Sequence, residues 1–143
     1  MACRDLSKGK QALDEIQGSG IQGSLSLLQL DVTDDASISA AVEYVSKEFG
    51  HLDVFVSNAG TTSPTTSGRE RLNNIFATNV IGAMMVSEAF IPLLLKSNRP
   101  YLIQISSVVG SLALATDPQC PFYHERWDEY RMSKTALNMM TIQ

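Results

Sequence analysis

Along "TDDASISAAVEYVSKEFG" the apolar side chains fall at Ile38, Ala41, Val42, Val45 and Phe49. Steps of three and four put them on one face of a helix. Thr33, Asp34 and Asp35 offer caps at its start, and Gly50 supplies its stop. The next segment changes period: "LDVFVS" is a continuous apolar run, the pattern of a parallel strand covered on both faces. The same alternation extends in both directions. "LSKGKQALDEIQ" predicts a helix stopped by Gly18 and Gly20, and "SLSLLQL" a short strand ending at Asp31. A loop rich in Thr, Ser, Pro and Gly covers 60–68, and a long helix disturbed near Pro92 covers 69–96. "YLIQIS" predicts a third strand. An irregular stretch over 107–126 leads to a last helix carrying Tyr130 and Lys134.

Strands that alternate with helices are joined by crossovers and run parallel, which is the α/β class with a doubly wound sheet between helical layers, a three-layer αβα arrangement. The whole of 1–143 reads as belonging to one such domain. In this class ligands collect outside the carboxyl ends of the strands. The residues at those ends are Asp31, then Asn58, Ala59 and Gly60, then Ser106 and Ser107, all small or polar.

Composition narrows the function. Hydrophobic residues make up 44% of the chain, as in a globular domain, and the net charge is −4. No basic face offers itself to nucleic acid or to an anionic membrane. The apolar run "VIGAMMVSEAFIPLLL" is interrupted by Ser87, Glu88 and Pro92, which argues against a spanning helix. Cys3 and Cys120 belong to no CxxC or Cys/His ligand pattern, so neither a zinc site nor a disulfide scaffold is predicted. "MACRDLSKGKQ" lacks the apolar core of a signal peptide. A cytoplasmic protein is the expectation.

"DEYRMSKTAL" sets Tyr130 four residues before Lys134, one helical turn apart on one face. Alone the pair is equally at home on an ordinary amphipathic helix. Its company is informative: Ser107 ends the preceding strand, "SNAG" ends the strand before that, and Asn79 lies within "FATNVIGA". In that order the chain resembles the short-chain dehydrogenases/reductases, nicotinamide-dependent oxidoreductases on a Rossmann-like sheet. The resemblance implies a catalytic set of Asn79, Ser107, Tyr130 and Lys134. Tyr130 would be the acid/base, and Lys134 its electrostatic helper and a ligand of the nicotinamide ribose. Ser107 would steady the carbonyl oxygen, and Asn79 would hold a water linked to Lys134. The chemistry suits the need: a tyrosine hydroxyl ordinarily titrates near pH 10, and a nearby ammonium favours the phenolate. Of the two adjacent serines, the family's "SS-x-x-G" pattern, here "SSVVG", favours Ser107 over Ser106.

The resemblance also implies cofactor contacts. Asp31 and Val32 would meet the adenine, Asn58, Ala59 and Gly60 the riboses, and Arg4 the 2′-phosphate of NADP; NAD is the alternative cofactor. Taken without the family, Asp31 reads as a loop carboxylate before a helix cap and Arg4 as a solvated arginine. Ser57 stands where the family often has another Asn. The glycine-rich turn that meets the pyrophosphate has no counterpart here, and neither do the first strand, most of the second and the substrate lobe. By this resemblance 1–143 is an incomplete domain with a partial sheet. The strand "SLLQL", third in the family's order, is therefore expected to have no partner, and the chain to be inactive by itself.

The interval from Ser107 to Tyr130 is longer than in the family's common form, and its "TDPQCPFYHERWDE" is read as a peripheral loop that includes His124 and Trp127. His51 is read as a surface turn residue, and Met84, Met85, Met139 and Met140 as filler of core or interface. The implied function is a carbonyl reductase or alcohol dehydrogenase acting on a small carbonyl or alcohol. The helices of 69–96 and 127–142 would be its homodimer face. The alternatives are a non-catalytic truncated paralogue serving as an interaction module and, less well matched, a Rossmann-like methyltransferase.

Overall fold

The computed structural model describes residues 1–142 and contains six α-helices and four short strands among them. β1 (Ala2–Cys3) runs into α1 (Leu6–Gly18), and β2 (Leu28–Gln29) into α2 (Asp35–Phe49). β3 (Val54–Ser57) leads through a loop to α3 (Gly68–Phe76), a π-helical turn (Ala77–Gly82) and α4 (Ala83–Leu94). β4 (Tyr101–Gln104) is followed by a 3₁₀ turn (Val108–Gly110), the short α5 (Leu112–Ala115) and finally α6 (Asp128–Ile142).

Local chemistry accounts for the helix ends. Asp5 caps α1 by accepting from the amides of Ser7 and Lys8, and Asp34 caps α2 by accepting from Ala36. α2 ends at Gly50, whose φ of 75° is a left-handed conformation that costs glycine nothing.

The strands form two parallel pairs, β1 with β2 and β3 with β4. This corrects one expectation. The strand around Leu28 is not left without a partner: Ala2 and Cys3 lie beside Leu28 and Gln29, and Leu30 donates its amide to the Cys3 carbonyl at 2.9 Å. It is shorter than "SLSLLQL" suggests because only two residues of partner strand are there to pair with it.

One core joins the two pairs. Leu30, Ile38, Ala41, Val45, Val86, Phe90 and Leu93 form it, and Leu28, Val32 and Phe55 pack on its edge. Phe55 stacks on Phe90 at 5.1 Å between ring centroids, a contact worth about 0.5–1.5 kcal/mol beyond its buried area. Thus α2 and α4 cover one face. α1 lies on the other, where Gly9 packs against Cys3 and Leu27. That second layer stops at the first pair: Val54, Val56, Tyr101 and Ile103 on the outer face of β3 and β4 are exposed. The αβα sandwich is therefore partial.

The long helical run also differs from expectation. Its irregularity is the π turn at 77–82; α4 continues through Pro92 to Leu94. The proline is tolerated because Pro92 and Glu88, whose carbonyl loses its partner, both lie on the exposed side. By length and composition Gly68–Leu94 does qualify as a spanning segment, contrary to the reading of Ser87, Glu88 and Pro92, although 44% of its apolar window is buried in the fold.

Gly82 marks the tightest crossing. A Cβ there would stand 2.6 Å from the Val32 carbonyl oxygen, whereas one at Gly18 would meet nothing within 4 Å. Gly82→Ala is expected to destabilise the chain by about 1–3 kcal/mol through overpacking. Gly18→Ala is expected to be neutral or to stabilise by up to about 1 kcal/mol. Urea denaturation of the two variants checks the contrast.

Candidate active site

Asn79 sits in the π turn with no exposure at all. A π turn widens the helix by a residue and re-aims its side chains, and here it points Asn79 into the space between the 60–68 loop and α6. Its Oδ1 accepts from the Thr61 amide at 2.8 Å. Its Nδ2 donates to the Thr61 carbonyl and to Ser133 Oγ, both at 3.0 Å. Ser133, equally buried, donates to the Tyr130 carbonyl at 2.8 Å. A loop, a helix and the turn carrying Tyr130 are thereby tied by one amide side chain.

Lys134 is 4% exposed, and its ammonium donates to the Ile105 carbonyl at 2.8 Å, just past the carboxyl end of β4. Burial pushes its pKa below the ordinary lysine value. The Nζ lies 5.7 Å from the centre of the Tyr130 ring, so the pair shares one face as the spacing requires. Close approach of α6 to the 3₁₀ turn needs Gly110: a Cβ there would lie 2.8 Å from the Lys134 backbone carbon. The Gly110 carbonyl accepts from Thr135 Oγ1 at 2.9 Å and from Asn138 Nδ2 at 3.3 Å.

The two serines differ in what they are free to do. Ser106 Oγ donates to Asn138 Oδ1 at 2.5 Å and is occupied in holding α6. Ser107 Oγ only accepts a long 3.4 Å bond from the Val109 amide, which leaves its proton free for another acceptor.

A cleft of about 860 Å³ opens at the carboxyl ends of β1, β2 and β3. Arg4, Asp31, Val32, Asn58, Ala59 and Gly60 all line it, so six of the residues read as cofactor contacts meet in one place, while Tyr130 and Lys134, read as contacts at the nicotinamide end, do not. Asp31 Oδ1 accepts from Thr33 Oγ1 at 2.7 Å and from the Thr33 amide at 2.9 Å. These bonds, with Arg4 nearby, hold its carboxyl below the usual carboxylate range. Gly60 connects the cleft to the tyrosine–lysine side: a Cβ on it would lie 3.5 Å from Asn79 Oδ1 and 3.8 Å from Lys134 Nζ. Ser107, Tyr130 and Lys134 do not line the cleft themselves.

Ser133, Thr61 and Gly110 are absent from the sequence-based set. Ser133 had a signal, since it lies three residues after Tyr130 on the same helix. The other two show their importance only through tertiary contacts.

Comparison with known proteins bears on the whole chain. The family model described as short chain dehydrogenase matches residues 1–143. Short-chain dehydrogenase anuI of Penicillium roqueforti is 31% identical over 99% of this chain and 58% of its own length. Among solved structures, the NADPH-bound carbonyl reductase from chicken fatty liver is 30% identical with a TM-score of 0.79, over 98% of this chain and 58% of that one. Salutaridine reductase from Papaver somniferum, 23% identical, shares the fold with a TM-score of 0.81 over 98% of this chain and 70% of that one. The chain thus spans little more than half the length of the curated relative.

Burial of Lys134 gives a pH dependence whose sign is fixed. Between its lowered value and the ordinary 10.5, the unfolded chain binds a proton that the folded chain does not. Stability should therefore rise with pH across that window. Lys134→Met should remove the rise, as read from urea midpoints at successive pH values.

Proposed function

The chain belongs to the short-chain dehydrogenase family, and on that premise we propose that it forms the central part of a nicotinamide-dependent oxidoreductase of the carbonyl reductase or alcohol dehydrogenase type. The observation that carries the reading is the position of Gly60, which borders both the cleft of Arg4, Asp31 and Asn58 and the buried Lys134 ammonium. A side chain at Gly60 would fill the space between them, and a bare backbone leaves that space to a ribose. The donor set suits such a group: a carboxylate at Asp31 for the adenosine end, small residues at Asn58, Ala59 and Gly60, and an ammonium at Lys134 for sugar hydroxyls.

A bound nicotinamide supplies the hydride of carbonyl reduction. Everything else falls to this chain. Tyr130 holds the phenolic proton and delivers it to the substrate oxygen as that oxygen gains charge. Lys134, one turn on, stabilises the phenolate left behind. Ser107 donates its uncommitted proton to the same substrate oxygen. Asn79 keeps the Tyr130 turn and the 60–68 loop in register, and its Oδ1 borders the Gly60 space near Lys134, as a water-holding role requires.

Finer choices follow from particular residues. Arg4 is exposed at the cleft beside Asp31, where a guanidinium suits the extra phosphate of NADP; the NADPH-bound relative points the same way. The exposed Ile81, Met84 and Ile91 of the π turn and α4, with Met132 and Met139 of α6, suit a homodimer face. A cytoplasmic setting agrees with the two free cysteines.

The chain contains no TGxxxGxG-like run. Two or three charge-assisted hydrogen bonds to the pyrophosphate, at about 1.5–3 kcal/mol each, are worth several powers of ten in affinity. By itself the chain should show no saturable NADPH binding in calorimetry and no turnover of activated carbonyls; micromolar binding would overturn this. Joined to the glycine-rich strand–turn–helix unit and substrate lobe of a family member, it should reduce carbonyls. Tyr130→Phe should then lower kcat by about 10²–10⁴ with little change in cofactor affinity. Full turnover in that variant would remove Tyr130 from its role. In the same enzyme Arg4→Ala should weaken NADPH about 10- to 100-fold and leave NADH nearly unchanged; equal losses would count against NADP.

A further inference from the structure

Tyr130 is only the third residue of α6. The first i→i−4 bond of that helix is donated by the Arg131 amide to the Trp127 carbonyl at 2.8 Å. Tyr130 therefore stands in a first turn whose own amides have no partner within the helix, the part most prone to fray. Ser133 and Lys134 are pinned a turn later and hold the helix body, Ser133 reaching back to the Tyr130 carbonyl, but neither engages Asp128 or Glu129 at the very start of the turn.

Two arginines supply those contacts. Arg131 Nη1 donates back to the carbonyls of Phe122 at 3.0 Å and Glu125 at 3.4 Å, fastening the preceding loop. Arg71, on α3, donates to Glu129 Oε1 through Nε at 3.1 Å and Nη2 at 2.8 Å. The other ion pairs among the described residues join neighbours no more than four apart. Arg71 and Glu129 are 58 apart in sequence and connect two helices. At 38% and 23% side-chain exposure they add little to overall stability. What the two-pronged contact fixes is position, at the residue adjoining Tyr130.

We propose that the Arg71–Glu129 ion pair is a positioning device for Tyr130, clamping the first turn of α6 onto α3 so that the phenol keeps its place beside Lys134. The proposal deepens the oxidoreductase reading and rests on Tyr130 being its proton donor. Arg71 also holds the Glu129 carboxyl below its usual range. The clamp is thus complete above that range and is lost as pH falls through the lowered Glu129 value.

The test uses this chain with its four tyrosines (Tyr44, Tyr101, Tyr123 and Tyr130) labelled at Cζ for NMR, the Tyr130 signal being assigned by Tyr130→Phe. Glu129→Gln should shift and broaden the Tyr130 signal while Tyr44 and Tyr101 stay in place. The charge swap Arg71→Glu with Glu129→Arg should restore it. An unmoved Tyr130 signal in Glu129→Gln, a common shift of all four tyrosines, or no restoration by the swap would each overturn the proposal. In the completed enzyme Glu129→Gln should lower kcat about tenfold at unchanged KM; an unchanged kcat or a loss confined to KM would also overturn it. Should Tyr130→Phe keep full turnover, the proton-donor reading fails, whereas the NMR result on the clamp stands or falls separately.

Discussion

A buried ammonium must have an acceptor, and Lys134 finds one in the Ile105 carbonyl, 2.8 Å away at the end of β4. Desolvating a charge without such a partner costs several kcal/mol, so this bond dictates where α6 can lie. The helix must cross close over the 3₁₀ turn, which makes Gly110 obligatory and brings the Gly110 carbonyl to Thr135 and Asn138. It also sets Tyr130 one turn back along the same face. Ser106 joins the same seam through Asn138, and Ser107 is left free at its edge.

Asn79 ties this seam to the other half of the domain. An ordinary α-turn would carry its side chain around the helix by a different angle; the π turn widens the cylinder where the amide must reach both Thr61 and Ser133. A buried amide of this kind is costly unless its hydrogens are all used, and both are. The outcome is a cluster of Asn79, Ser133 and Lys134 packed between α6, β4 and the π turn, the side the proposed function makes catalytic. On the proposed reading the cofactor side is the cleft at the ends of β1, β2 and β3, which Gly60 joins to the Lys134 side.

Much of this is legible in the sequence. Helical periodicity located α1, α2 and α6 because one face of each meets a core, and the continuous apolar runs located β3 and β4. Tyr130 and Lys134 stood out through the company they keep rather than through spacing alone, Asp31 and Asn58 through their places after strands, and Arg4 only through the family resemblance. The two-residue pairing of β1 with β2 was not legible, since a strand exists only where its partner does and Ala2–Cys3 carries no pattern. The π turn was hidden because "ATNVIG" satisfies helical periodicity as well as its neighbours do. Ser133 and Gly110 matter through contacts with residues far away in sequence, and local pattern does not record those. Arg71 and Glu129 carry no local signal of their pairing, which exists only because α3 and α6 pack together.

The functional account assigns to this chain the proton-handling residues and part of the cofactor cleft, over little more than half the length of a curated relative. Its central claim is that the Asn79–Ser133 contact, with the Lys134 bond beside it, holds Tyr130's helix against the π turn. A double-mutant cycle of Asn79→Ala and Ser133→Ala, followed by urea denaturation, tests that most directly. The account predicts that each single change destabilises and that the two are coupled by more than about 0.5 kcal/mol. Strict additivity would show that the two buried groups act independently and would contradict it.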